Sequence, residues 1–283
     1  MMTENVYMMT EEMITALRGF IAEDLGAGDL TAAIIPADKQ ASAEVITRED
    51  MLLCGQAWFD GVFKLLEPGV SIGWLQAEGS LVSAGTLLCR LHGPARALLS
   101  GERTALNLLQ TLSATATVSR RYADAVAGTG CKVLDTRKTI PGLRLAQKYA
   151  VKCGGCFNHR TGLYDAVLIK ENHIMAAGSI TRAIQAARQL TSLLVEVEVE
   201  TLLELQEALA AQPDRIMLDN FSLVDLRAAV AITAGQIDLE ASGNIRLDNI
   251  RQIAETGVNY ISIGALTKDI KAVDLSMRIQ LAS

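Results

Sequence analysis

Between residues 194 and 265 the chain reads Leu194-Val195-Glu196-Val197-Glu198, then Ile216-Met217-Leu218-Asp219-Asn220. It continues Ile237-Asp238-Leu239-Glu240-Ala241-Ser242-Gly243, then Tyr260-Ile261-Ser262-Ile263-Gly264-Ala265. Measured at Val195, Met217, Leu239 and Ile261, these apolar runs recur every 22 residues. A strand, a helix and two loops need about that length, and helix-like segments such as 179–191 and 222–233 lie between the runs. Upstream, Val133-Leu134-Asp135-Thr136-Arg137-Lys138 and Val167-Leu168-Ile169-Lys170-Glu171-Asn172 extend the series, with steps of 34 and 27 residues. The rhythm predicts six parallel strands. A doubly wound sheet would carry an early glycine-rich phosphate loop, and neither GxGxxG nor GxxxxGK[ST] occurs. Polar side chains at the C-terminal ends of several strands suit a barrel, and six strands suit a partial one.

The first half reads differently. Residues 10–25, with Glu11 and Glu12 first and Ile14, Leu17 and Ile21 spaced behind them, predict an amphipathic helix. Residues 41–92 give short strand-like segments, Ala43–Thr47, Val70–Trp74 and Thr86–Leu91, separated by Gly and Pro and expected to pair antiparallel. Residues 95–125 read as one helix, with Leu98, Leu99, Leu106, Leu108, Leu109 and Leu112 on a broad apolar face.

A chain of 283 residues implies one large domain or two unequal ones. With 50% hydrophobic residues but 4% aromatics, the core is expected to be Leu, Ile, Val and Ala. The net charge of −6 argues against a nucleic-acid partner. No apolar run approaches membrane-spanning length, and Met1-Met2-Thr3-Glu4 resembles no signal peptide, so a cytoplasmic protein is expected. The five cysteines are odd in number and scattered. Cys153 and Cys156 form a CxxC without the second pair that structural zinc would need, and they read as small residues packed beside the Gly154-Gly155 turn.

Charge locates the chemistry. Residues 131–170 hold eight cations (Lys132, Arg137, Lys138, Arg144, Lys148, Lys152, Arg160 and Lys170) against two acids, Asp135 and Asp165. Arg137, Lys138, Arg160 and Lys170 fall at strand ends or beside the glycine turn, which converges them on one mouth. Arginine grips carboxylate or phosphate bidentately, so the mouth is expected to take a substrate with several negative groups. Glu196, Glu198 and Glu200 share one face of a strand, with Asp219 on the next. They read either as a polar plug paired with Arg137 or Lys170, or, for Glu198 and Asp219, as ligands of ribose hydroxyls or Mg²⁺. Ser242-Gly243-Asn244 and Ile263-Gly264-Ala265 end the last two strands, where backbone N–H groups of a turn opening a helix are expected to hold a phosphate. His92 precedes Gly93-Pro94 in an expected loop, His159 lies inside the cationic cluster, and His173 could order the loop after Lys170. No histidine spacing supports zinc.

These runs resemble one family. Leu134-Asp135-Thr136-Arg137-Lys138-Thr139, Pro141-Gly142-Leu143-Arg144, Lys148-Tyr149-Ala150-Val151 and Asn158-His159-Arg160 are similar to the hallmark stretches of the quinolinate phosphoribosyltransferases. So are Leu168-Ile169-Lys170-Glu171-Asn172-His173, the 195–198, 218–220 and 242–244 segments, Glu23-Asp24-Leu25-Gly26, and Gly101-Glu102-Arg103-Thr104-Ala105-Leu106-Asn107. The resemblance implies an α/β fold of the type II phosphoribosyltransferase kind. It comprises an N-terminal α/β sandwich with an antiparallel sheet (1–115), a partial (β/α) barrel carrying the site (116–268) and a tail returning to the sandwich (269–283). It implies transfer of phosphoribosyl from 5-phosphoribosyl-1-pyrophosphate to quinolinate with loss of CO₂. It also implies a homodimer in which Arg103 reaches the partner's site, and Mg²⁺ as cofactor. On this reading Arg103, Arg137, His159 and Arg160 bind quinolinate, Thr136 is a further substrate-binding residue, and Lys138 and Lys170 serve both substrates. Glu198 and Asp219 contact ribose and Mg²⁺, and Ser242, Gly243, Asn244, Ile263, Gly264 and Ala265 take the 5′-phosphate. Lys138, Lys170, Glu198 and Asp219 are the expected catalytic groups. Phe157, where the family often has a small residue, is expected to tighten the pocket floor. Two rivals remain at this point, a Schiff-base lyase using Lys170 and a non-catalytic relative, which would lack the arginines.

Overall fold

The computed structural model describes residues 9–281, which divide into two compact units, 9–117 with 270–281 and 118–269.

In the first unit, Thr10 caps helix α1 (Glu11–Leu25) by accepting the Met13 N–H, and Leu17 is its buried anchor. A single 3₁₀ turn (Ala32–Ile34) leads to β1 (Gln40–Thr47), whose alternate residues Ala41, Ala43, Val45 and Thr47 are buried. Then come β2 (Met51–Leu52), α2 (Gln56–Leu66), β3 (Ser71–Trp74), β4 (Leu81–Val82), β5 (Leu87–Pro94) and the long helix α3 (Ala95–Ala125), whose residues up to Thr117 belong to this unit. The strands β3, β5 and β1 pair antiparallel as expected. Two expectations change. Helix α2 was not foreseen, because its apolar run around Trp58, Phe59, Val62 and Phe63 is short enough to read as a strand. His92 lies in β5 rather than in a loop. The strand runs on through Gly93, where any side chain would meet Val70 at 2.9 Å, and ends at Pro94, which needs no ladder donor. The few aromatics are used here, since Phe59 stacks obliquely on Phe63 and meets Trp74 edge-on, with centroids 5.2 and 5.4 Å apart.

The second unit contains β6 (Lys132–Leu134), α4 (Arg144–Cys153), β7 (Val167–Ile169), α5 (Glu171–Ala177), α6 (Ile180–Leu190) and β8 (Val195–Val199). It continues with α7 (Leu202–Ala211), β9 (Arg215–Asp219), α8 (Leu223–Thr233), β10 (Asp238–Ser242), α9 (Ile250–Ala254), β11 (Tyr260–Ser262) and α10 (Ala265–Lys268). All six strands are parallel, in the order β6-β11-β10-β9-β8-β7. Val195, Val197, Ile216, Leu218, Leu239, Ala241 and Ile261 pack outward into the helices, a core of aliphatic residues. Ser179, Thr201 and Ser222 cap α6, α7 and α8, and the last two caps fix where the first two 22-residue steps turn from strand to helix. The chain then leaves this unit, and β12 (Leu275–Leu281) pairs antiparallel with β1, completing a four-stranded sheet β12-β1-β5-β3 in the first unit.

Candidate active site

The C-terminal ends of the parallel strands open into two adjoining cavities. One, of about 470 Å³, is lined by Thr136, Arg137, Lys138, His159, Arg160, Lys170, Glu198, Asp219, Ser242 and Ser262, with Leu168 and Met217. The other, of about 530 Å³, is lined by the 242–246 and 262–265 loops, Lys268 and Asp269, and shares Thr136, Lys138, Asp219, Ser242 and Ser262 with the first. The structure thus brings together every candidate residue of the second unit. Arg103 lies on α3 in the first unit, exposed, while its neighbours Thr104, Ala105 and Leu106 are buried.

Arg137 and Arg160 share a wall of the first cavity. Burial, and then the charge of Arg137, hold the Arg160 guanidinium below its ordinary range, so two like charges have been brought together. The ion pairs of this region join Lys170 to Glu198 at 2.5 Å and Arg215 to Glu240 at 3.1 Å, and include neither arginine. Arg137 Nε is buried without a hydrogen-bond partner. Arg160 donates to the Ala166 carbonyl at 3.3 Å, and two guanidiniums outside the described ion pairs, facing one cavity, suit an anionic ligand such as a carboxylate.

Beneath them is a buried polar layer. Glu196 and Glu240 are fully buried, and His159 Nε2 stands 2.9 Å from Glu196 and 3.6 Å from Glu240. The contact with Glu196 is close but not aligned as a hydrogen bond, leaving both Glu196 oxygens short of a donor. Burial raises both carboxyls. Glu240 is pushed up to about 7 by desolvation and by Glu196, and Glu196 is raised chiefly by desolvation. Burial also holds His159 below its usual range. His159 Nδ1 accepts the Arg160 N–H at 2.8 Å, so both ring nitrogens face protein. His159 therefore lines the cavity floor with its ring, Nδ1 taken by the Arg160 N–H and Nε2 turned toward Glu196.

The plug foreseen on β8 is present, and Lys170 is the cation of Glu198 as expected, whereas the cation that most offsets the buried Glu196 is Arg215 rather than Arg137. Register explains this, since Glu196 sits directly opposite Arg215 on β9. Glu200 does not join it. The strand ends at Val199, and the Glu200 N–H donates to the Glu204 carboxylate at the start of α7. Arg215 and Glu240 were missed, as were Asp135 and Lys148, a buried pair 2.5 Å apart. Lys148 also donates to the His159 carbonyl at 2.8 Å, and Asp135 accepts the His159 N–H at 2.8 Å, so this pair fixes the backbone that carries His159 and Arg160. A parity count would have found the floor. Stepping back two residues from Glu198, Asp219 and Ser242 along their strands gives Glu196, Met217 and Glu240 on the inward face.

Other expectations shift in detail. The 242–244 turn opens no helix directly, since α9 begins at Ile250. Instead Gly243, at φ +95°, leaves the space filled by the Asn220 side chain, whose Oδ1 would stand 2.2 Å from a Cβ there. Asn220 in turn donates to Asp219 at 2.7 Å and accepts from Asn244 at 3.1 Å. Ile263 is buried and its N–H donates to the Leu134 carbonyl, so it offers the second cavity no donor. Phe157 faces away from the site, with its ring 5.5 Å from Lys132 Nζ in a separate hollow. His173 accepts the Lys170 N–H at 2.9 Å and orders the start of α5, in line with the expectation that it orders the segment after Lys170. Cys156 is buried against the Ser119 carbonyl, and none of the five cysteines forms a disulfide.

Comparison with known proteins agrees with this site. Residues 29–113 match the N-terminal domain of quinolinate phosphoribosyl transferase, and residues 115–278 match its C-terminal domain. A Bacillus subtilis protein named probable nicotinate-nucleotide pyrophosphorylase (carboxylating) is 44% identical over 94% of this chain and 93% of its own. A chloroplastic nicotinate-nucleotide pyrophosphorylase (carboxylating) from Oryza sativa subsp. japonica is 42% identical over 92% of this chain and 75% of its own. The solved nicotinate-nucleotide pyrophosphorylase from Francisella tularensis superposes with a TM-score of 0.91 at 48% identity, covering 95% of this chain and 96% of that one. Matched along both domains and aligned with these relatives over more than nine-tenths of its length, the chain belongs to the quinolinate phosphoribosyltransferase family.

Proposed function

We propose that this enzyme transfers phosphoribosyl from 5-phosphoribosyl-1-pyrophosphate to quinolinate with decarboxylation, giving nicotinate mononucleotide, pyrophosphate and CO₂, a step of NAD biosynthesis. The observation that carries this reading is the Arg137–Arg160 wall facing Lys138, Lys170, Glu198 and Asp219 across one cavity. Quinolinate is a dianion, and two guanidiniums outside the described ion pairs match its adjacent carboxylates. Lys138 and Lys170 add positive charge where pyrophosphate leaves. The pyridine nitrogen attacks the anomeric carbon as its bond to pyrophosphate breaks, so no protein nucleophile is required, and a Schiff base at Lys170 has no role. Growing positive charge on the ribose is stabilised by Glu198 and Asp219. Once alkylated, the ring nitrogen carries the positive charge that stabilises the carbanion left when the neighbouring carboxylate departs as CO₂, and a proton then fills that position.

Glu198 and Asp219 fit Mg²⁺, because they place two oxygen donors on neighbouring strand ends at the mouth. Bound there together with pyrophosphate, the ion would neutralise the leaving group. Gly264, Ala265, the 242–244 turn, Arg246 and Lys268 suit the 5′-phosphate in the second cavity. The exposed Arg103 is read as reaching the site of a second copy in a homodimer. The cytoplasm is the expected compartment, in keeping with five cysteines outside any disulfide and no described helix long and apolar enough to cross a membrane.

The test is an assay of purified protein with quinolinate, 5-phosphoribosyl-1-pyrophosphate and Mg²⁺, with nicotinate as control acceptor. Nicotinate mononucleotide from quinolinate but not from nicotinate is expected. Product from nicotinate at a comparable rate would remove the two-carboxylate reading, and no product from folded protein would remove the reaction.

A further inference from the structure

Two residues that the chemistry above does not use tie the halves of the site together. Gln147 on α4 and Thr267 on α10 are fully buried, yet neither lines either cavity. Gln147 Oε1 accepts the Ile140 N–H at 2.8 Å, and its Nε2 donates to the Thr267 carbonyl at 2.8 Å. Thr267 Oγ1 donates in turn to the Lys138 carbonyl at 2.9 Å. The last two bonds join positions 120 and 129 residues apart, so local folding does not require them. Lys138 belongs to both cavities, and its Cδ lies against Gly264, 3.0 Å from where a Cβ would stand. Arg144 pins the same segment from the other side, donating to the Thr139 hydroxyl at 3.0 Å and to the Arg137 carbonyl at 3.3 Å. If the segment carrying Arg137 and Lys138 shifts against the 264–268 turn, the Thr267 hydroxyl loses the Lys138 carbonyl and keeps only the poorer 3.5 Å contact with the Gly264 carbonyl of its own turn, a costly exchange.

From this we propose that Gln147 and Thr267 are positioning residues that couple the acceptor cavity to the phosphate cavity. A phosphorylated ribose held at the 264–268 turn fixes, through Thr267, the Lys138 and Arg137 that meet the acceptor's carboxylates. The coupling is reciprocal, because a free energy shared by two sites has the same value read from either. The inference rests on the assignment of the two cavities given under Proposed function. A merely structural role would weaken each ligand separately and leave their mutual effect unchanged.

The experiment measures the quinolinate Kd of the full-length protein by calorimetry, without and with saturating ribose 5-phosphate, which carries the phosphate but has no pyrophosphate to lose. In the wild type the Kd is expected to fall roughly 5-fold or more when ribose 5-phosphate is present, the lower end of ordinary coupling. In Thr267→Val that ratio is expected near one, while Thr267→Ser, which keeps the hydroxyl, retains it. Gln147→Met provides an independent break if Thr267→Val does not fold. A wild-type ratio of one, or an undiminished ratio in either broken variant, overturns the proposal. Wild type that makes nicotinate mononucleotide without coupling removes the clamp and leaves the function standing, whereas wild type that binds no quinolinate removes both.

Discussion

Arg137 is the residue on which the acceptor reading is most exposed. Its Nε is buried and unpartnered, and after burial its charge is the next cause that holds the Arg160 guanidinium below its ordinary range. Replacing it by alanine deletes charge-assisted hydrogen bonds to a carboxylate, each worth about 1.5–3 kcal/mol, so kcat/KM for quinolinate is expected to fall by roughly 10- to 100-fold or more. Steady-state kinetics check this, and an unchanged KM and kcat would contradict a direct contact. Glu240 makes a different prediction, about stability. It faces Glu196, His159, Arg215 and Ser262, and burial lifts it from 4.5 to about 7. Between those values the folded state holds a proton that the unfolded chain has lost, so stability declines as pH rises through the interval. Glu240→Gln mimics the protonated form and should flatten the decline. Its Tm should exceed that of the wild type by roughly 2–8 °C more at pH 8 than at pH 5, checked by calorimetric melting at both. An equal difference at both values would show that the proton resides elsewhere in the layer. The cationic ends of this site were legible because Lys170 directly follows an apolar run and Arg137 and Lys138 come within four residues of one. Glu240 and Arg215 were not, because which partner a buried charge meets depends on strand register, which a single sequence does not encode locally.

At the scale of elements, the barrel strands were readable since their 22-residue period is set by geometry, and the helices of the first two such steps open on a Thr and a Ser cap. Helix α2 was not, because eleven residues with Phe59 and Phe63 turned inward also satisfy a buried-strand pattern. The loops after β9 and β10 show why the phosphate turn was only half legible. Its glycine was visible, but its function is to admit Asn220, a residue 23 positions earlier. Gly243→Ala would place a Cβ 2.2 Å from Asn220 Oδ1 and 2.9 Å from its backbone nitrogen, at a φ that side chains rarely adopt. The expected cost is about 1–3 kcal/mol of stability. Because Asn220 holds Asp219, the KM for 5-phosphoribosyl-1-pyrophosphate should rise several-fold while quinolinate binding alone stays within about twofold. Thermal melting and the two substrates' constants separate these effects. Equal weakening of both substrates would mean that the turn acts through general loosening.

For the whole molecule, the open question is whether one chain contains a complete site. The second unit supplies Arg137, Arg160, Lys138 and Lys170, while Arg103 stands exposed on a helix whose adjacent residues are buried. A long cation side chain held on a rigid helix and left in solvent costs little, so exposure alone assigns it nothing. The argument for a role is one of charge. Quinolinate and 5-phosphoribosyl-1-pyrophosphate together bring more negative charge than the cations of one cavity offset, and a guanidinium from a second copy would add to that field without crowding the floor. A shared site makes a prediction that a self-contained one does not. Arg103→Ala and Arg137→Ala homodimers should each be nearly inactive. When chains are mixed and exchanged, half of the molecules in a random distribution are heterodimers. Each heterodimer then has one site with both arginines and one with neither, so up to about one quarter of wild-type activity should return. Activity of re-mixed chains, with heterodimers verified by differently tagged protomers, is the measurement. Recovery would place Arg103 in the partner's site. Verified heterodimers that stay inactive would mean that both arginines act on the same chain's substrate or that Arg103 has a structural role, and a monomeric protein with full activity would end the shared-site reading altogether.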